Sequence, residues 1–287
     1  VMDAHNGMGM VASHKMMEIL IEKAKVYGMA GGTIFNSTHY GIAGYWTTMA
    51  EKAGMIGISG TNARPSVAPT FGVEPMMGTN PLTFTMPTDE EFPFNFDCAT
   101  STIQNGKIEY YERCNKETPA GLVVNRSGET MTDSGKILKD MRAGQAALLP
   151  LGGLGEETGG YTGYGFTTVV EILSSALSGG PYMKDLNGKD KDGKPQMYRL
   201  GHFFFVINPD FFMGLDPFKE TAGGICRGLR NSAKAPEAER IYTAGEKEYL
   251  SWIDRKDKGV PVGEAIQKEF IELRDELDLP YKFPFEK

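Results

Sequence analysis

The run Asn36-Ser37-Thr38-His39-Tyr40-Gly41 governs how this chain is read. Before it stands Thr33-Ile34-Phe35, a short apolar segment suited to a buried strand. After it, residues 41–53 read as a helix closed by Gly54, and Met55-Ile56-Gly57-Ile58-Ser59 as a second strand. The pattern predicts a strand–helix–strand unit with His39 at its first turn, and ligands commonly gather at the carboxyl ends of strands in such units. Three small polar residues suited to a helix start come just before the histidine, which predicts an exposed imidazole near the positive end of a helix dipole. A helix N-terminus disfavours the imidazolium by ~0.3–1 kcal/mol, so the neutral ring is favoured there as a general base. An isolated histidine is more often structural, and on these residues alone both readings stand.

Upstream, Val11, Met16, Ile19, Leu20, Ala24 and Tyr27 recur close to helical spacing, predicting an amphipathic helix over 11–29 that ends near Gly28 and Gly31. Downstream, residues 60–150 change to short strands and turns, with Pro65, Pro69, Pro75, Pro81, Pro87 and Pro93 interrupting any long helix. Leu82 to Met86 alternates as a half-buried strand, and Phe94 to Asp97 does so more briefly. Seven glycines fall within residues 152–165, ahead of an expected helix from Phe166 to Leu177. Such a loop could cradle a phosphate at a helix start, although it is neither a Walker loop nor a G-x-G-x-x-G turn after a strand. Residues 188–195 read as a solvated loop, and Phe203 to Ile207 as a buried strand. Ile266, Phe270, Leu273 and Leu277 mark a last helix with one apolar face.

A hydrophobic share of 40% and a charged share of 23% describe an ordinary globular protein. The net charge of −7 argues against a general nucleic-acid surface or an anionic membrane as partner. Cys98, Cys114 and Cys226 are odd in number and unpaired in spacing, which fits reduced thiols and a cytoplasmic location. His5, His14 and His202 match no metal-ligand spacing, so no metal site is expected. His14 is expected on the exposed side of its helix, and His202 at the entry to a buried strand. No G-x-S-x-G elbow supports hydrolysis. The opening Val1-Met2-Asp3-Ala4-His5-Asn6-Gly7 reads like the middle of a folded unit, and a segment before it is expected.

Nine short motifs follow one another in a recognisable order. They are Asp3 to Gly9, Asn36 to Gly41, Val67-Ala68-Pro69, Gly78-Thr79-Asn80-Pro81 and Asp97-Cys98-Ala99-Thr100-Ser101, then Gly106-Lys107-Ile108, Leu148 to Gly153, Gly163 to Phe166 and Ile207-Asn208-Pro209. Each alone is weak. In this order they resemble the malate/L-lactate dehydrogenase family that is unrelated to the usual lactate and malate dehydrogenases.

The resemblance implies an α/β, non-Rossmann fold and an NAD- or NADP-dependent oxidoreductase acting on an L-2-hydroxyacid or 2-oxoacid, with malate/oxaloacetate first. It implies a discontinuous helix-rich domain from residues 1–57 and 213–287, a sheet-rich cofactor-binding domain over 58–212, and a homodimer. By the same resemblance His39 is the catalytic proton acceptor. Asp97, Ala99, Thr100 and Ser101 lie along the cofactor, with Thr243, Ala244 and Gly245 near it. Thr61, Asn62, Gly78, Thr79 and Asn80 line the pocket. Two departures stand out. Thr162 occupies the place of a family lysine, and the family's N-terminal H-G-x-x-x-R-like segment, which helps hold substrate, has no counterpart here. A preceding segment or a partner subunit is then the expected source of the carboxylate-binding cation. Two alternatives remain: a related reductase of another 2-oxoacid or a cyclic imine, and a nucleotide-binding protein that has lost catalysis.

Overall fold

The computed structural model describes residues 1–190 and 192–286. The chain runs through β1 (Met2–Asp3), α1 (Gly9–Tyr27), β2 (Met29–Ser37), α2 (Ala43–Lys52) and β3 (Ile56–Thr61). It continues with β4 (Leu82–Met86), β5 (Phe94–Cys98), α3 (Asn105–Arg113), β6 (Val123–Asn125), α4 (Ser134–Arg142) and β7 (Ala146–Leu148). Then come α5 (Gly160–Ser175), β8 (Leu200–Ile207), α6 (Leu215–Arg230), α7 (Glu246–Arg255) and α8 (Glu264–Glu276). Val1–Glu246 form one compact unit and Lys247–Lys287 another. Among the described residues no helix is long and apolar enough to cross a membrane.

Six strands form one mixed sheet in the order β1-β2-β8-β3-β4-β5. β1 pairs parallel to β2, and every other neighbour pair in it is antiparallel. It follows that β1, β2, β3 and β5 all point one way, and their carboxyl ends meet the amino ends of β8 and β4 at a single edge. The aromatic run of β8 explains its place between β2 and β3: Phe203, Phe204 and Val206 are buried, which suits a strand paired on both sides and covered on both faces. The sheet takes β1 and β2 from the first of the sequence segments assigned above, and β4, β5 and β8 from the central one.

α1 packs Met16, Met17, Leu20 and Ala24 against Ile34, Phe204 and Val206, with Tyr40 and Trp46 closing the same core. The helix ends where expected. Gly28 takes a left-handed φ of 79°, and its N–H caps the Ala24 carbonyl. Its buried stripe differs from the sequence reading, because Val11, Ile19 and Tyr27 are exposed while Ala12, Ser13 and Ile21 are buried. A small residue such as Ser13 can face a sheet closely, and apolar spacing alone does not register that. A second core joins Ile108 of α3, Ile137 of α4, Val123 of β6 and Leu148 of β7.

Two further expectations change. α5 starts at Gly160 rather than Phe166, so part of the glycine-rich run is helical. In the C-terminal unit, α8 buries none of its residues, and Phe270 instead stacks against Phe283 at 5.7 Å between ring centroids. The loop 188–195 is exposed as expected, with Lys191 outside the described residues.

Candidate active site

The sheet edge where β1, β2, β3 and β5 end collects most of the motif loops. His39 stands there just past β2, exposed, with its Nδ1 accepting a hydrogen bond from Gly41 N–H at 3.0 Å. Among the described residues Nε2 has no protein partner. The loop beneath it is tied down from below. Thr38 Oγ1 donates to the Gly7 carbonyl (3.1 Å) and accepts from Gly9 N–H (3.2 Å), so it caps the start of α1. Trp46 Nε1 donates to the Tyr40 carbonyl at 2.9 Å. Asn6 N–H bonds to the Asn36 carbonyl at 2.6 Å, joining the first motif loop to the second.

The expected reason for this placement needs correction. α2 begins at Ala43 after an Ile42 that provides no side-chain cap, so Asn36, Ser37 and Thr38 are not its start. The amide of Gly44, in the first turn of α2, donates to Asp97 Oδ2 at 2.8 Å, reaching across from β5. A carboxylate therefore sits at the positive end of that helix. His39 is presented by the end of a strand and not by a helix dipole.

Behind the His39 loop lies His202, fully buried at the start of β8. Its Nδ1 sits 2.6 Å from Thr61 Oγ1 and its Nε2 2.8 Å from Ser37 Oγ. Its ring stacks on Tyr40 with centroids 4.6 Å apart. Burial pushes the imidazole down to a pKa of about 3, with His39 nearby adding to the fall, so it stays neutral at ordinary pH. Tyr40, also buried, has its phenol raised well above the usual range by desolvation. Thr61, named from sequence as a pocket residue, is thus linked to the His39 loop through one imidazole. The entry of His202 into a buried strand was visible in the sequence, whereas its double bridge depends on the register that sets Thr61 opposite it.

Of the other residues expected to line the pocket, Thr79 and Asn80 join Thr100 in a network with Thr167 and Glu171 of α5, while Asn62 braces β8. Asn62 Oδ1 accepts from Gly201 N–H (2.8 Å), and Asn80 Oδ1 from Ala63 N–H (3.2 Å). Asn80 Nδ2 donates to the Thr167 carbonyl (3.1 Å) and to Glu171 Oε2 (2.7 Å). Thr100 Oγ1 reaches the Asn80 carbonyl at 2.9 Å and takes a bond from Thr167 Oγ1 at 2.8 Å, while Thr100 N–H donates to the Thr79 carbonyl. Ser101 Oγ donates to the Ile103 carbonyl at 2.8 Å. The hydroxyls of Thr100 and Ser101 are therefore committed inside the protein. Burial raises the carboxyl of Glu171, partly offset by Met183 N–H and Asn80.

The glycine-rich run has a packing role at this point. A Cβ on Gly160 would strike the Gly153 carbonyl, and one on Gly163 the backbone of Leu151. The amides of Gly160, Thr162 and Gly163 donate to Gly155, Gly159 and Leu151 carbonyls. With three of its first-turn donors already used, the start of α5 is poorly suited to the phosphate cradle that composition allowed. Thr162 is exposed on this turn.

Asp97 and the Thr243–Gly245 segment lie along β5, the edge strand. Ala244 accepts from Asn95 N–H at 3.1 Å, so that amide points away from the sheet, and strand alternation turns the amide of Asp97 the same way. Thr83 Oγ1 donates to Asp97 Oδ1 at 2.9 Å. Thr243 is itself held, by Arg230 Nη1 at 2.9 Å and by the carboxylate of Glu246. The Asn95 amide is spent on Ala244, so this edge offers a dinucleotide's acceptor phosphates the outward amide of Asp97, beside an exposed carboxylate that already accepts from Gly44 N–H and Thr83 Oγ1. Gly245 belongs at the start of β5 and Ala99 just past its end, which puts the two named groups at opposite ends of one strand.

One cation escaped the sequence reading. Arg64 follows Thr61-Asn62-Ala63 at the end of β3, exposed, with its guanidinium 5.3 Å from the centre of the Tyr198 ring. Among the described residues no carboxylate lies within ion-pair distance of it. Its place in the T-N-A-R run was the available signal. Likewise, no three His, Cys, Asp or Glu side chains among the described residues group as metal ligands would.

Comparison with known proteins bears on this arrangement. Residues 1–270 match the family model described as malate/L-lactate dehydrogenase. The chain is 41% identical over 273 residues to a malate dehydrogenase of Pyrococcus horikoshii, covering 95% of this chain and 73% of that protein. It is 33% identical over 279 residues to an L-sulfolactate dehydrogenase of Methanocaldococcus jannaschii, covering 97% and 76%. The crystal structure of malate dehydrogenase from Entamoeba histolytica superposes with a TM-score of 0.93 at 43% identity, over 98% of this chain and 77% of that one. A mixed sheet with an exposed histidine at its carboxyl edge, nine motifs in order and matches of this extent lead to one conclusion: the chain belongs to the malate/L-lactate dehydrogenase family.

Proposed function

We propose that this chain interconverts an L-2-hydroxyacid and its 2-oxoacid with NAD or NADP, malate/oxaloacetate being the pair, and that His39 takes up and returns the hydroxyl proton. The observation that carries the reading is His39 itself: an imidazole at the shared edge of the strands, oriented through Nδ1, with Nε2 left for substrate. The malate dehydrogenases at 41% and 43% identity support the choice of substrate.

The Gly41 contact has a chemical consequence. A neutral ring that accepts at Nδ1 carries its proton on Nε2, which suits a hydrogen bond donated to the carbonyl oxygen of a 2-oxoacid. To take a proton from the hydroxyl of a 2-hydroxyacid, Nε2 must be bare and Nδ1 must hold the ring proton. The Gly41 contact therefore opens before proton uptake, and after uptake both nitrogens carry hydrogen. Bound NAD or NADP supplies the hydride acceptor or donor. Asp97, Ala99 and the Thr243–Gly245 backbone would hold it along β5, with Thr100 and Ser101 fixing the strand end. Thr61, Asn62, Gly78, Thr79 and Asn80 shape the substrate side, and Arg64 offers the substrate carboxylate a cation. Gly78 is there to leave room, since a Cβ would meet Ala63 and Asn80 Oδ1, each at 2.6 Å.

A homodimer in the cytoplasm completes the proposal. An apolar groove of about 610 Å³ between α1 and α2, lined by Met10, Val11, Ile42 and Tyr45, supports pairing, and three free cysteines support a reducing compartment. Thr162 favours the second reading, a nucleotide-binding protein without turnover. The test follows reduced-nicotinamide absorbance with oxaloacetate and each reduced cofactor, for the wild type and His39→Ala. Turnover in the wild type alone is expected. Cofactor binding without wild-type turnover supports the second reading, and undiminished turnover in His39→Ala removes the proton-acceptor role.

A further inference from the structure

His202 is buried and neutral, and the chemistry above does not use it. It lies on β8, between the two strands whose ends carry the proposed site: its Cα pairs with Ile34 on β2 and Thr61 on β3. Its two nitrogens reach a hydroxyl on each side, Ser37 Oγ at 2.8 Å and Thr61 Oγ1 at 2.6 Å. The Tyr40 ring stacks on its face at 4.6 Å. Ser37 and Tyr40 are the residues on either side of Thr38-His39. One rigid imidazole thus holds both ends of the segment that presents His39, and ties that segment to Thr61.

The hydroxyls can satisfy themselves without it. Thr61 Oγ1 has the carbonyls of Asn62 (2.8 Å) and Gly201 (3.0 Å) within reach, and Ser37 Oγ that of Thr38 (3.3 Å). A histidine is therefore not required to avoid unpaired buried hydroxyls. Its particular contribution is the bridge, because the local carbonyls join each hydroxyl only to its own strand end or to β8.

From this we infer that His202 is a positioning residue, which sets the His39 loop against the Thr61–Asn62 segment through Ser37, Thr61 and Tyr40. The inference rests on the proposed role of His39 for its catalytic consequence, although the positioning itself is measurable without turnover. His202→Phe keeps a planar ring under Tyr40 and deletes both hydrogen bonds. His202→Gln can place an amide where Nε2 was and restore the Ser37 bond. Ser37→Ala removes the same bond with a smaller change, and carries the test if His202→Phe does not fold.

Two readouts are taken. The first is kcat and KM for oxaloacetate with reduced cofactor. Misplacing a proton donor by about an ångström costs roughly 10²-fold, so His202→Phe and Ser37→Ala are expected to lower kcat about 10- to 100-fold with KM within about twofold, and His202→Gln to recover part of the loss. The second is amide hydrogen exchange at Gly41, whose N–H holds His39 Nδ1 and which should exchange faster in His202→Phe and Ser37→Ala. Unchanged kcat in both variants overturns the inference, and so does a fallen kcat with unchanged Gly41 exchange. If His39→Ala retains full turnover while Gly41 exchange still responds, the proton-acceptor reading fails and the positioning stands.

Discussion

At the end of β2, His39 keeps one ring nitrogen without a partner among the described residues. At the end of β5, Thr100 and Ser101 turn their hydroxyls inward to Asn80, Thr167 and Ile103. The two runs lie on one sheet edge and look alike as sequence, each a cluster of small polar residues after a strand. The difference is what stands behind each. The β2 loop is gripped through Ser37, Thr38 and Tyr40, which leaves the His39 side chain to face outward. The β5 end is roofed by α5, and its side chains become the pins that fasten the roof. A motif of this kind mixes groups that meet a ligand with groups that hold the wall, and only the topology separates them.

The comparison can be broken most sharply at His39. His39→Ala is expected to lower kcat about 10²- to 10⁴-fold with cofactor affinity nearly unchanged, measured by turnover and by nicotinamide fluorescence titration. Next in size is a response to acid. The pKa of His202 falls to about 3 on folding from an ordinary 6.5, so between those values the unfolded chain binds the extra proton. Stability from the neutral ring is complete above the unfolded value and is lost as pH falls, by up to ~1.4 kcal/mol per pH unit. Urea midpoints between pH 7 and pH 4 should drop less in His202→Phe than in the wild type.

Thr100→Val tests the other side of the comparison. It keeps the shape and removes the bond to the Asn80 carbonyl, which should cost about 1–3 kcal/mol in unfolding free energy. Its effect on kcat should be much smaller than that of His39→Ala. A large loss of turnover with unchanged stability would return Thr100 to the ligand side. The smallest expected effect is at Arg64: Arg64→Ala should raise KM for the 2-oxoacid about tenfold and leave KM for the cofactor unaltered, as loss of a charge-assisted contact implies.

Much of the fold was legible because it rests on local patterns. Gly28 and Gly54 stop their helices, Phe203 to Ile207 is too apolar for anything except an inner strand, and His39 falls at a strand end. The candidate site was legible in the order of its motifs and not in what holds them in place. The sequence suggested a helix dipole behind His39, yet the start of α2 is met by Asp97, 53 residues further on. The glycine-rich run suggested a phosphate cradle, yet Gly160 and Gly163 are small because the Gly153 and Leu151 backbones pass close by. The bridge of His202 between Ser37 and Thr61 spans 165 and 141 positions. The Asp97 and His202 contacts are long-range and the glycine contacts depend on how one loop folds back on itself, neither of which spacing along a chain encodes.

The central claim, that His39 handles the proton during hydride transfer, is tested most directly in a single turnover. Enzyme in excess over reduced cofactor is mixed rapidly with oxaloacetate, and loss of nicotinamide absorbance is followed for the wild type and His39→Gln. The account predicts a transient slowed about 10²-fold or more in the variant, with the same cofactor dissociation constant. A transient of equal rate in both proteins would contradict it.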